Sequence, residues 1–121
     1  MVAEKKFKLE VDNLRNYFII KVWGFFTADD ANDFIQSYQE AIKTFNPNDY
    51  TLVVDGRDLK TSSPDVAAML QKVMQMYIQT PFKKRYSIEL NSLLTKMQLQ
   101  RLGQDVIFQY FTFVNSESEI Q

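Results

Sequence analysis

The chain has 121 residues, enough for one domain with its own core, and its 45% apolar and 14% aromatic content excludes a disordered chain. Its formal net charge of −1 provides no overall field that would attract nucleic acid or an acidic membrane. The chain contains no Cys and no His, which argues against Ser-His and Cys-His hydrolases and against most zinc enzymes.

The first third of the chain predicts two strands and a helix. Residues 7–11 alternate between apolar and charged side chains, the pattern of a strand with one wet face. The more apolar run 17–23 predicts a second strand, which would pair with the first as a hairpin. Thr27 followed by Asp30 predicts a capping box at the start of a helix, whose apolar stripe runs to Phe45.

The middle of the chain predicts a strand, a polar loop and a second helix. Residues 51–54 form a short β-branched run, and Asp55 with the glycine after it indicates a turn. Residues 56–62 are charged and rich in hydroxyl groups. Ser63 would cap the second helix, with Pro64 at the first helical position. Because binding sites of open α/β sheets gather beyond the carboxyl ends of strands, we expect a binding surface at this loop.

The second predicted helix runs to residue 79 and carries three methionines. Met69 and Met74 fall on its apolar stripe and are predicted to fill the core. Met76 falls off that stripe and is predicted to be exposed. Because methionine repacks readily, Met76 is a candidate contact for a ligand or a partner.

The last third predicts a strand over 85–90, a short helix over 93–102 and a strand over 106–114, followed by a polar tail over 115–121. The last strand is apolar on both faces, so we expect it to be covered on both sides or to form an interface. A homodimer through this strand, or through an apolar helix face, is therefore a hypothesis.

The element order is ββαβαβαβ, which predicts one α/β domain over residues 1–121, with its core over about 6–114. We expect a mixed sheet of about five strands with helices packed on it, because strands that alternate with helices pair in parallel. The N-terminus resembles no signal peptide, and no apolar run approaches the ~20 residues of a membrane span. We therefore expect a cytoplasmic protein without a membrane or nucleic-acid partner.

This order, length and spacing resemble the STAS domain, the SpoIIAA-like fold of bacterial anti-sigma factor antagonists and of STAS/Sec14-like small proteins. The resemblance covers residues 7–114. It is carried by the glycine, aromatic, threonine and acidic residues that enter the first helix at 24–30, and by the strand-then-aspartate element at 52–55. The resemblance implies a regulatory domain that binds a protein partner.

The Ser62–Ser63 pair lies close to the place where antagonists carry a phosphorylated serine in an Asp-Ser-Ser-Gly motif. Here Thr61 precedes the pair and Pro64 follows it, so we do not expect a kinase that reads the antagonist motif to recognise this chain. A phosphate at a helix N-terminus would still be favoured by the exposed N–H groups and the helix dipole. The simpler interpretation is that Ser63 only caps the helix.

Two groups of residues are candidates for a site. The candidates for binding a partner or accepting a phosphate are Asp55, Arg57, Asp58, Thr61, Ser62 and Ser63. The candidates for aromatic or apolar contact with a ligand or a partner are Trp23, Phe25 and Met76. For Trp23 and Phe25 the alternative is that they belong to the core at a strand end. The basic run 83–85 could contact phosphate, although a solvated loop is the simpler interpretation.

Three functions follow as hypotheses. The first is a non-enzymatic regulatory domain that docks a protein partner through the loop after the third strand and through the second helix. The second is a carrier of a small apolar or lipid-like ligand, suggested by the many Phe and Met residues. The third and weakest is a metal-dependent enzyme that uses Asp55 and Asp58, in which Asp58 would otherwise pair with Arg57 or Lys60. No cofactor is implied.

Overall fold

The computed structural model describes residues 6–60, 64–88 and 110–120. In chain order the elements are β1 (Phe7–Asp12), β2 (Tyr17–Gly24), α1 (Ala28–Ala41), a 3-10 helix (Pro47–Asp49), β3 (Thr51–Leu59), α2 (Pro64–Gln79), β4 (Lys84–Ile88), β5 (Thr112–Val114) and a second 3-10 helix (Glu117–Glu119). The predicted helix over 93–102 lies outside the described residues.

The five described strands form one mixed sheet in the order β1-β2-β3-β4-β5. β1 is antiparallel to β2, and each later strand is parallel to the one before it. This arrangement confirms the predicted α/β class and the predicted hairpin of the first two strands. It also places the carboxyl ends of β2, β3 and β4 at the same edge of the sheet.

A local sequence signal accounts for the beginning of α1, whereas its end differs from the predicted one. The Thr27 hydroxyl accepts a hydrogen bond from the Asp30 N–H at 3.2 Å, and the Asp30 carboxylate accepts one from the Thr27 N–H at 2.8 Å, which confirms the predicted capping box. α1 ends at Ala41, one turn earlier than its apolar stripe suggested. Phe45 nevertheless reaches the core, since its ring lies 5.0 Å from that of Phe18.

Both α-helices cover one face of the sheet, and aromatic rings fill the space between them. Phe34 of α1 is at the centre of this core, with ring contacts at 5.3 to 6.5 Å. Its partners come from β1, the loop after β2, α1 and α2, namely Phe7, Phe26, Tyr38 and Tyr77. Successive side chains of a strand point to opposite faces of the sheet. The strand residues that alternate with the core residues therefore point to the face that these two helices do not cover.

The opposite face carries a second, smaller apolar cluster. Its buried strand residues are Ile19, Val53, Ile88 and Val114. Ile120 packs against them from the C-terminal segment and is itself buried. The polar tail predicted from residue 115 therefore contains a short 3-10 helix and a residue that is held on the sheet.

β3 continues farther than the sequence predicted. Residues from Gly56 to Leu59 were expected to form a loop, but they belong to the strand, so that prediction is wrong. Lys21 of β2 lies level with Asp55, whereas Trp23 lies level with Asp58, so one residue of β2 faces two of β3. This β-bulge shifts the alternation of β3 by one position, and Leu59 is therefore buried in the core.

Two further predictions are corrected. Met76 was expected to be exposed, but it is half-buried and packs against the core, because the face of α2 that meets the sheet includes Val73, Met76 and Tyr77. The last strand was expected over 106–114. Tyr110 is helical and β5 begins only at Thr112, while residues 106–109 lie outside the described residues.

Candidate functional site

Two segments that are about thirty residues apart in sequence meet at the carboxyl ends of β2 and β3. Trp23 lies opposite Asp58 in the ladder, and the Lys60 N–H donates to the Gly24 carbonyl at 3.0 Å. We call this surface the strand-end patch and define it by Trp23, Phe25, Asp55, Arg57 and Asp58. The structure thus brings together five of the residues that the sequence singled out in two separate groups.

The patch exposes two aromatic side chains. Trp23 is 36% exposed and Phe25 is 61% exposed, whereas the neighbouring Phe26 is buried in the core. Trp23 and Phe25 are therefore not the buried strand end that was the alternative interpretation. Gly24 lies between them with a φ of +74°, a backbone conformation that L side chains rarely adopt, and it turns the chain away from the sheet.

Lys6 fixes the position of the exposed aromatic segment. Its ammonium group donates to the Phe25 carbonyl and forms an ion pair with Asp30 at 3.0 Å. Burial raises the pKa of Asp30, but hydrogen bonds from Thr27 and Lys6 outweigh burial, and its pKa is lowered overall. The sequence showed Lys6 only as a charged residue before a strand, and no local signal linked it to residues 25 and 30.

Asp55 and Arg57 form a bidentate ion pair on β3, just before the position where Trp23 of the neighbouring β2 lies level with Asp58. Arg57 Nε donates to Asp55 Oδ1 at 3.0 Å and Nη2 donates to Oδ2 at 2.8 Å. The sequence suggested Arg57 or Lys60 as a partner for Asp58 and did not suggest the pair of Arg57 with Asp55, which forms through two residues of the same strand. Burial raises the pKa of Asp55, but the bonds from Arg57 and the nearby Lys21 charge lower it more.

The pH dependence of Asp55 follows from this geometry. Its pKa in the folded chain lies below the usual 3.8, so its stabilising contribution is complete above that value and is lost as pH falls through the folded pKa. An Arg57→Met variant loses the two side-chain hydrogen bonds that oppose the effect of burial, so we expect the Asp55 pKa to rise. Carboxyl-detected NMR titration of both proteins measures this shift, and an unchanged Asp55 pKa would contradict the assigned pair.

The same pair leaves little support for chemistry at Asp55. Both of its carboxylate oxygens accept hydrogen bonds from Arg57 and are therefore already engaged within the chain. Among the described residues, no three His, Cys, Asp or Glu side chains are grouped closely enough to hold a metal ion.

The other sequence candidates lie elsewhere. Thr61, Ser62 and Ser63 are outside the described residues, although α2 begins at Pro64 as predicted. In the basic run, Lys83 and Lys84 are exposed, as expected for a solvated segment. Arg85 instead faces the end of α2, where its guanidinium donates to three backbone carbonyls. In the described part of the chain, neither α-helix combines the length and apolar character needed to cross a membrane.

No protein-family model and no curated protein matches the sequence. Solved structures do share its fold. One is an uncharacterised protein of the DUF3478 family with a SpoIIAA-like fold from Shewanella loihica PV-4. It is 15% identical, the TM-score is 0.68, and the match covers 98% of this chain and 94% of that one.

Two other matches are structures of SpoIIAA. The anti-sigma factor antagonist SpoIIAA in its unphosphorylated form is 16% identical with a TM-score of 0.58, and 93% of this chain and 90% of that one are covered. The Bacillus cell fate determinant SpoIIAA in its phosphorylated form is 17% identical with a TM-score of 0.55, with 93% and 94% covered. The chain therefore has the SpoIIAA-like fold that its resemblance to STAS domains predicts.

Proposed function

We propose that this chain is a cytoplasmic, non-enzymatic regulatory domain that binds a protein partner through the strand-end patch, the adjoining β3–α2 connection and α2. The observation that carries the proposal is the exposure of Trp23 and Phe25 at the same edge of the sheet as the Asp55–Arg57 pair. Two structures that share the fold are of SpoIIAA, which is described as an anti-sigma factor antagonist. This likeness supports a regulatory role through protein contact.

The physical argument rests on how the aromatic residues are presented. Large aromatic side chains dominate binding energy at interfaces, and binding costs less when they are already held in position. Gly24 and Lys6 hold the segment that carries Trp23 and Phe25 against the body of the domain. The polar residues beside them supply directional contacts around an apolar centre, which is the usual composition of an interface.

The alternative function, carriage of a small apolar ligand, has less support. A ligand between the sheet and the helices would need space that aromatic rings occupy. Tyr38 contacts Tyr77 at 5.5 Å between ring centroids, and Phe18 contacts Phe82 at 6.1 Å. Protein docking at an exposed surface requires no such displacement.

The test is a direct binding experiment on the full chain. A partner captured by the tagged chain and identified by mass spectrometry is titrated against Trp23→Ala and Phe25→Ala. We expect each change to weaken binding by at least about tenfold, the loss typical of an interface aromatic anchor. Arg57→Ala, Asp58→Ala and Ser62→Ala probe the rest of the proposed surface.

Leu14 provides a matched control. It is 99% exposed and lies in the β1–β2 turn, at the opposite end of the sheet from the patch. Leu14→Ala also removes an exposed apolar side chain, so it should leave binding unchanged. A partner that is retained equally by all the patch variants, or that is lost only with Leu14→Ala, would overturn the proposal.

A further inference from the structure

We propose that two copies of this chain pair through β1, so that their sheets join across a two-fold axis into one continuous sheet. β1 lies at the edge of the described sheet and pairs with β2 over all six of its residues without a register shift. It contains no proline. An edge strand without proline or a bulge can pair with another strand, provided that its charged side chains meet opposite charges across the new ladder.

The hydrogen-bonding pattern shows which residues would meet the second copy. The Trp23 N–H donates to the Lys6 carbonyl at 3.0 Å, which makes these two residues a hydrogen-bonded pair of the antiparallel ladder. The pattern alternates, so the backbone groups of Lys8 and Glu10 also face β2. Those of Leu9 and Val11 face away from β2, towards a strand added at the edge.

Charge selects one register. A two-fold axis perpendicular to the sheet leaves each side chain on the same face of the joined sheet. Residues that lie opposite each other also share a face, so the axis must pass through a position where one residue lies opposite its own copy. Centring on Leu9 places Lys8 opposite the partner's Glu10, and symmetry repeats the pair. Centring on Lys8 or on Glu10 places like charges opposite each other, which is destabilising. Only the register centred on Leu9 is self-complementary among these three.

The apolar side of β1 fits the same register. Leu9 and Val11 are only partly buried, and they pack at the margin of the core on the strand that α1 contacts. In the register centred on Leu9, this residue lies opposite the partner's Leu9. Pairing therefore extends the apolar core of each copy into the other while it forms opposite-charge pairs on the second face.

Charge reversal tests the proposal. Sedimentation equilibrium over a concentration series should show a dimer for the unchanged chain. Lys8→Glu or Glu10→Lys replaces both opposite-charge pairs with like-charge pairs, and each should weaken the dimer by about tenfold. The double variant restores opposite charges and should restore the dimer. Lys84→Glu, on the same face but in β4, three strands away from β1, is the control and should leave the dimer intact.

Cross-linking tests the register independently, and it exploits the absence of natural cysteines. In the proposed register the two Cα atoms at position 9 are about 5.5 Å apart, within reach of a disulfide. Leu9→Cys should therefore form a covalent dimer on oxidation, whereas Glu10→Cys, offset from its own copy, should not. Three results would overturn the proposal: a chain that stays monomeric over the whole concentration series, a dimer whose affinity is unchanged by the single charge reversals, or cross-linking only at position 10.

Discussion

Replacing Phe34 with alanine is expected to lower the free energy of unfolding by about 4 kcal/mol, the largest effect we predict for a single change. Phe34 is 2% exposed and its ring contacts rings from β1, the loop after β2, α1 and α2. Truncation leaves a cavity where these elements meet, and the surrounding rings cannot all move to close it. Urea unfolding followed by circular dichroism measures the change.

Phe25→Ala is the matched control for this prediction. It removes the same side chain nine positions earlier, where the ring is largely exposed, so stability should change by no more than about 0.5 kcal/mol. The contrast isolates the cost of the cavity from the general effect of losing a phenyl ring. Equal losses in the two variants would show that Phe34 does not anchor the core.

Replacing Arg85 with alanine is expected to cost about 3 kcal/mol, the second largest effect. Its guanidinium donates to the carbonyls of Tyr77 at 2.9 Å, Ile78 at 3.0 Å and Thr80 at 2.7 Å. These carbonyls belong to the end of α2, where the helix itself supplies no further donors. The positive charge also lies at the negative end of the helix dipole, so one side chain joins α2 to β4.

Arg85→Lys separates charge from geometry. Lysine keeps the positive charge, but an ammonium group cannot reproduce the planar fork that reaches three carbonyls at once. We expect it to recover less than half of the stability lost in Arg85→Ala, as measured by the urea midpoint at constant slope. Full recovery by lysine would mean that the dipole interaction alone accounts for the effect. Exposed Lys84 supplies the control, since Lys84→Ala should change stability little.

The local sequence predicted those features that depend on neighbours in the chain. The capping box of Thr27 and Asp30 is confirmed, and α2 begins at Pro64 as expected. The capping box joins side chains three residues apart, and proline is favoured at the first position of a helix, so both signals are visible without the fold. The alternation of β1 and the apolar run of β2 predicted the hairpin for the same reason.

The candidate site was predicted less completely. Its residues were candidates from the sequence, but Asp55-Gly56 was interpreted as a turn. That interpretation is wrong because the end of β2 supplies backbone partners for Asp58 and Leu59 across a bulge. A strand extended by its neighbour leaves no signal in its own sequence. The exposure of Trp23 and Phe25 likewise depends on which faces the helices cover.

The sequence by itself therefore determined the order of the elements, the α/β class and the first residues of both described α-helices, because these arise from short-range periodicity, capping and backbone preference. Only the tertiary structure decided the order of the strands, the Asp55–Arg57 pair, the inward Arg85 and the burial of Ile120. Each of these joins residues through packing or hydrogen bonds that the bulge and the strand pairing create. The strand-end patch itself is a product of that pairing, since Trp23 and Asp58 meet only when β2 and β3 lie side by side.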